Sequence, residues 1–86
     1  MKILCGIVLY NPDLDCLKSN IECLVGQVEE VFLVNNGAYN NDLETKITAI
    51  ENIKVTIKQL NKNMGIAYAL NCILKYSLNY NYDFLL

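Results

Sequence analysis

Eighty-six residues, 53% hydrophobic and 19% charged, make one globular domain at most. Its core must be thin, because a chain this short buries only roughly 60% of its unfolded surface. A net charge of −2, with seven scattered lysines and no arginine, excludes a nucleic-acid binder built on a basic stripe and leaves no guanidinium fork for phosphate.

Histidine is absent, so imidazole acid–base and triad chemistry are excluded. Cys5, Cys16, Cys23 and Cys72 form no C-x-x-C pair, which argues against a thiol zinc site. Each lies in an apolar stretch and is expected to be a small buried hydrophobe in a reducing cytosol. No run reaches the roughly 18 apolar residues of a membrane span. The opening "MKILCGIVLYNP" ends without a small-residue cleavage site, so it reads as a strand rather than a signal peptide.

In chain order, "KILCGIVLY" (2–10) is a continuous apolar run and predicts a fully buried strand. Asn11-Pro12-Asp13 predicts a helix start, with Asn11 as cap, Pro12 in the first helical position and Asp13 against the dipole. Leu14, Leu17, Ile21, Leu24, Val25 and Val28 then fall on one helical face. "EVFLVN" (30–35) is the second strand, closing on the amide-rich "NNGAYNN" (35–41). Asn41-x-x-Glu44 outlines a capping box before a second amphipathic helix with Leu43, Ile47 and Ile50. "NIKVTIKQL" (52–60) alternates apolar and polar residues, a strand with one wet face or one near a sheet edge. After the loop "NKNMG" (61–65), "IAYALNCILKYSL" (66–78) is apolar on most sides and predicts a helix packed between layers. "YDFLL" (82–86) opens a fourth strand.

The order βαβαβαβ predicts an α/β fold: an open, mainly parallel sheet with helices on both faces. Ligands of such sheets sit at the carboxyl ends of the strands. Those ends are Tyr10-Asn11, Asn35-Asn36-Gly37 and the loop from Asn61 to Gly65. They carry no G-x-G-x-x-G, no Walker motif and no paired acids of a receiver domain. Taken singly, "NNG" is turn chemistry, since asparagine and glycine both tolerate positive φ. A tyrosine closing a strand is equally at home as packing.

Three stretches together say more. "VLYNP" (8–12), "VNNGA" (34–38) and "NMGIAYALN" (63–71) stand in the order and places of V-x-Y-N-P, V-D-N-G-S and E-N-x-G-I-A-x-A-x-N. In this the chain resembles the opening of the family 2 glycosyltransferases, nearest to bacterial rhamnosyltransferases of surface-polysaccharide assembly. The resemblance covers essentially all 86 residues.

It implies the N-terminal part of a GT-A fold, with residues 1–86 as a single partial domain that binds a nucleotide-diphosphate sugar such as dTDP-rhamnose or a UDP-sugar. Tyr10 matches the tyrosine lying against base and ribose, with Asn11 beside it. Asn36 matches the position that reads the base edge, where an amide can serve a donor and an adjacent acceptor together. Asn35 departs from the family's aspartate, while Gly37 is expected to supply positive φ in the turn. Asn63 and Gly65 match the N-x-G of a loop entering a helix, where free N–H groups favour an anion. Asn71, mid-helix among apolar neighbours, is expected to be buried and either to tie loops together or to face the site. Lys62 is within a loop that could reach a phosphate.

Family members continue from this last strand into an acidic motif for Mg²⁺ or Mn²⁺ and then to a catalytic base. The sequence stops at Leu86, so a metal is implied for a parent enzyme but no ligands or catalytic residues for it are found here. The chain alone is therefore expected to be an inactive donor half of a cytoplasmic transferase. The alternative is a non-catalytic, truncated α/β module whose exposed sheet edge and apolar face lead it to homo-oligomerise or bind a partner.

Overall fold

The apolar run after Lys2 becomes an inner strand of a four-stranded parallel sheet. The computed structural model describes residues 2–85, apart from the side chain of Phe84. The elements are β1 (Ile3–Leu9), α1 (Leu14–Glu22), β2 (Glu30–Asn35), α2 (Asn41–Ile47), β3 (Lys54–Gln59), α3 (Ile66–Asn79) and β4 (Phe84–Leu85). Their order across the sheet is β3-β2-β1-β4, all parallel. The expected open parallel α/β sheet is thus the observed one. Leu86, the end of the expected fourth strand, lies outside the described residues.

Period-two alternation sorts each strand between two cores. Leu9, Val31 and Leu33 pack against Leu17 and Ile21 of α1 and Leu43 and Ile47 of α2, with Val55 and Ile57 at the margin. Leu4, Phe32 and Val34 face the other way, onto Ala69 and Ile73 of α3. Helices therefore cover both faces, α1 and α2 on one and α3 on the other. On β3 the alternation puts Thr56 on the α3 side, where its hydroxyl donates to Glu30 across the sheet (2.6 Å).

Local chemistry moves several boundaries. Asp13, not Asn11, caps α1, its Oδ1 accepting from the N–H groups of Asp15 (3.0 Å) and Cys16 (3.2 Å). Asn11 instead holds φ at 45°, a left-handed turn that ends β1 before the helix begins. The helix stops at Glu22 and continues as turns through Gly26 at φ 85°. Leu24 and Val28 still reach the core from those turns, while Val25 is exposed. The cap of α2 is Asn40, one residue ahead of the expected Asn41, with Oδ1 accepting from Leu43 N–H (3.1 Å). That shift takes Glu44 out of capping register, and it accepts instead from the Tyr39 hydroxyl (3.2 Å).

Two expectations fail on burial. Helix α3 is not sandwiched between layers: Ala69, Ile73 and Ser77 are buried, while Ile66, Leu70, Leu74 and Leu78 face outward. Cys16 and Cys23 are exposed, because the buried stripe of α1 is Leu17 and Ile21 and the thiols fall beside it. Cys5 and Cys72 are half-buried, and all four thiols are free.

Gly6 sets how closely α3 approaches the sheet. A Cβ there would stand 2.3 Å from Ile73 Cγ2. Gly6→Ala is expected to cost about 1–3 kcal/mol by overpacking, measured by urea unfolding. In an Ile73→Ala background the same substitution should cost less than it does in the native chain, because the space is then available.

Candidate functional site

Leu9, Asn35 and Gln59 are register partners, so β1, β2 and β3 end level and their loops share one edge. Asn35 is buried there. Its Nδ2 donates to Ala38 O (3.1 Å) and to Gln59 Oε1 (2.6 Å). Gln59 also accepts from Asn40 N–H (3.2 Å), and its own amide donates to Asn40 O (2.9 Å). This amide chain closes loop 36–40 over β3. An aspartate could not donate to Ala38 or Gln59, which gives the amide at position 35 a local reason. Gln59 belongs to the site but carried no sequence signal beyond being polar at a strand end.

Asn36 ties the second loop to the third. Its backbone N–H donates to Leu9 O (2.7 Å), its Oδ1 accepts from Met64 N–H (2.8 Å), and its Nδ2 donates to Gly65 O (3.3 Å). The side chain is thus a strut between the end of β2 and the entrance of α3, with one N–H and one lone pair left. Asn63 Oδ1 accepts from Gly65 N–H (2.8 Å), and Gly65, at φ 86°, is the N-cap of α3 with no side chain capping it. Only glycine takes that backbone without strain.

Tyr10 projects from the end of β1, 63% exposed. A Cβ on Gly37 would lie 3.4 Å from its Cδ1 and 3.7 Å from its Cε1. The ring therefore lies close beside Gly37. That glycine does not supply the expected positive φ, which among the glycines belongs to Gly26 and Gly65.

The structure accordingly brings Tyr10, Asn11, Asn35, Asn36, Gly37, Asn63 and Gly65 to one edge. Asn71 is not among them. It is exposed midway along α3, where it lines a groove of about 880 Å³ between α3 and β3, because the buried stripe of the helix runs through Ala69, Ile73 and Ser77 instead. Among the described residues no three His, Cys, Asp or Glu side chains gather as they would around a metal ion. Nor is any described helix long and apolar enough to cross a membrane.

At the opposite end of β2 stands a cluster that sequence reasoning missed. Glu30 is 1% exposed. Its carboxylate accepts from the hydroxyls of Thr56 (2.6 Å), Tyr76 and Tyr82, with Lys54 Nζ at 3.7 Å. Burial pushes this carboxyl up, but the three hydroxyl donors and Lys54 together outweigh it and hold it below the usual value. Burial, and donation to that carboxylate, push the Tyr76 and Tyr82 hydroxyls up. An acid opening a strand resembles a surface residue, and its hydroxyl partners lie 26, 46 and 52 residues away.

Comparison of the chain with protein-family models, curated proteins and solved structures finds no match.

Two outcomes follow from these networks. Asn36→Asp keeps the acceptor for Met64 but sets a carboxylate against Gly65 O, at a cost of about 1–3 kcal/mol. Urea unfolding measures that cost, and faster hydrogen exchange at Met64 locates it. For Glu30 the sign is that of a carboxyl lowered by folding: its stabilisation is complete above the ordinary carboxylate range and is lost as pH falls through the lowered value. Glu30→Gln should therefore be less stable than the native chain near pH 7, and the gap should close towards pH 3.

Proposed function

We propose that this chain is the nucleotide-sugar-binding segment of a family 2-like glycosyltransferase. The parent enzyme would transfer rhamnose or a related sugar from a dTDP or UDP donor to a surface polysaccharide, in the cytoplasm. The observation that carries this reading is the solvent-facing ring of Tyr10, seated against bare Gly37 at the carboxyl edge of a parallel sheet. Open α/β sheets take their ligands at that edge.

In this reading the Tyr10 ring stacks on the pyrimidine, a contact worth roughly 1–3 kcal/mol by analogy with single-strand binders. Asn36 holds the loop 61–65 in place and offers its remaining N–H and lone pair to the base edge. The first-turn N–H groups of α3, which no side chain caps, are the donors for the diphosphate. Asn35 and Gln59 keep loop 36–40 closed so that Gly37 stays beneath the ring. In this reading the chain contributes donor binding, and turnover belongs to the parent enzyme.

The test is a two-dimensional NMR titration of the labelled chain with dTDP, UDP and GDP, each with and without Mg²⁺. The expected result is selective shifts from dTDP or UDP at Tyr10, Gly37 and Asn63 to Gly65, nearly independent of Mg²⁺. Tyr10→Ala should weaken that binding roughly tenfold or more. Indifference of all three nucleotides at millimolar concentration, or shifts from GDP equal to the others, would reject the reading.

A further inference from the structure

The two faces of the sheet are unequally covered. Four strands at about 4.8 Å each make a face roughly 19 Å wide, and a helix with its side chains covers about 10 Å, so each face seats two helices. One face has two, α1 and α2, while α3 stands alone on the other, over β1 and β2. Beside α3, above β3, runs the groove of about 880 Å³. A helix about 10 Å across advances 5.4 Å per turn, so that volume corresponds to roughly two turns.

The walls describe the occupant. Helix α3 contributes Tyr68, Leu74 and Leu78, and its C-cap Tyr80 follows, all at least 46% exposed. Leu74 and Leu78 continue the row from Ile66 and Leu70, an aliphatic ridge at i, i+4 spacing, the kind that interdigitates with a second helix. Lys58 and Lys75 also line the groove, and among the described residues no carboxylate does. We propose that this groove seats an amphipathic helix of a partner protein, apolar along one face and acidic along its flanks.

A second copy of the chain is a poorer complement. An α3-to-α3 pairing would bring the lysines of both copies together, since α3 carries Lys75 and no acid. The helices that do carry exposed acids, such as Asp15 and Asp42, have already spent their apolar faces on the core. Strand addition to the outer edge of β3 is discouraged by Lys54 and Lys58, exposed along it.

The experiment uses two fluorescein-labelled, four-turn synthetic helical peptides, identical in a leucine face at three- and four-residue spacing. One has glutamates along its flanks and the other lysines. By fluorescence anisotropy the glutamate peptide should bind the full chain about tenfold more tightly than its twin. Added salt should narrow that gap. Lys58→Glu/Lys75→Glu should invert the preference, and Leu74→Ser/Leu78→Ser should weaken both peptides, with circular dichroism confirming that each variant is folded. Equal binding of the two peptides, or serine variants that bind as the native chain does, would overturn the proposal. A concentration-dependent dimer of the chain that the serine variants dissolve would overturn it too, giving the face to a second copy.

Discussion

All six residues of β2 are buried, because it lies between β1 and β3 with helices against both faces. A strand in that position can carry no unsatisfied polar atom cheaply; each would cost about 1–3 kcal/mol. Yet β2 begins with a carboxylate and ends with an amide, Asn35, and a second buried amide, Asn36, follows directly. The arrangement around it answers that constraint. Thr56, Tyr76, Tyr82 and Lys54 converge on Glu30 from three other segments, and Gln59, Ala38, Met64 and Gly65 answer Asn35 and Asn36. No buried side-chain nitrogen or oxygen among the described residues lacks a partner.

Satisfying β2 also fixes α3. At its N-terminus the helix is held through Gly65 by the amide of Asn36. In its last turns Tyr76 donates to Glu30 and stacks on Phe32 at a centroid distance of 4.1 Å. Between these ties Ile73 rests where Gly6 has no side chain. Two polar anchors and one close apolar approach define the helix, although only three of its fourteen residues are buried. Tyr82, just before β4, donates to the same carboxylate, so the final strand is drawn beside β1 by the interaction that holds the helix.

What was legible in the sequence divides along the range of the interactions. Element types and the parallel sheet followed from short-range periodicity, and β2 was placed at its observed bounds. Caps were misplaced by one or two residues because Asn11, Asp13, Asn40 and Asn41 are all competent, and the choice among them depends on where the strand's last hydrogen bond falls. The outward face of α3 could not be distinguished from a sandwiched one, since periodicity reports apolar content and not what lies opposite. The edge position of Tyr10, Asn36 and Gly65 followed from strand order. The use of Asn35 as a donor to Gln59 did not, because the partner is 24 residues away. Glu30 was invisible for the same reason.

The two ends of β2 therefore do different work with the same physics. At its start, a charge is stabilised by three hydroxyls and a lysine and is closed off from solvent, which makes that end a rigid anchor for α3 and the approach to β4. At its finish, amides satisfy one another with capacity to spare, and the neighbouring Tyr10 and loop 61–65 remain exposed. Asn36 is fixed in place by its bonds to Met64 and Gly65 and keeps one N–H and one lone pair unused by other side chains or backbone. Its bonds to Met64 and Gly65 also locate the first turn of α3, so that edge and that helix are joined through a single buried side chain.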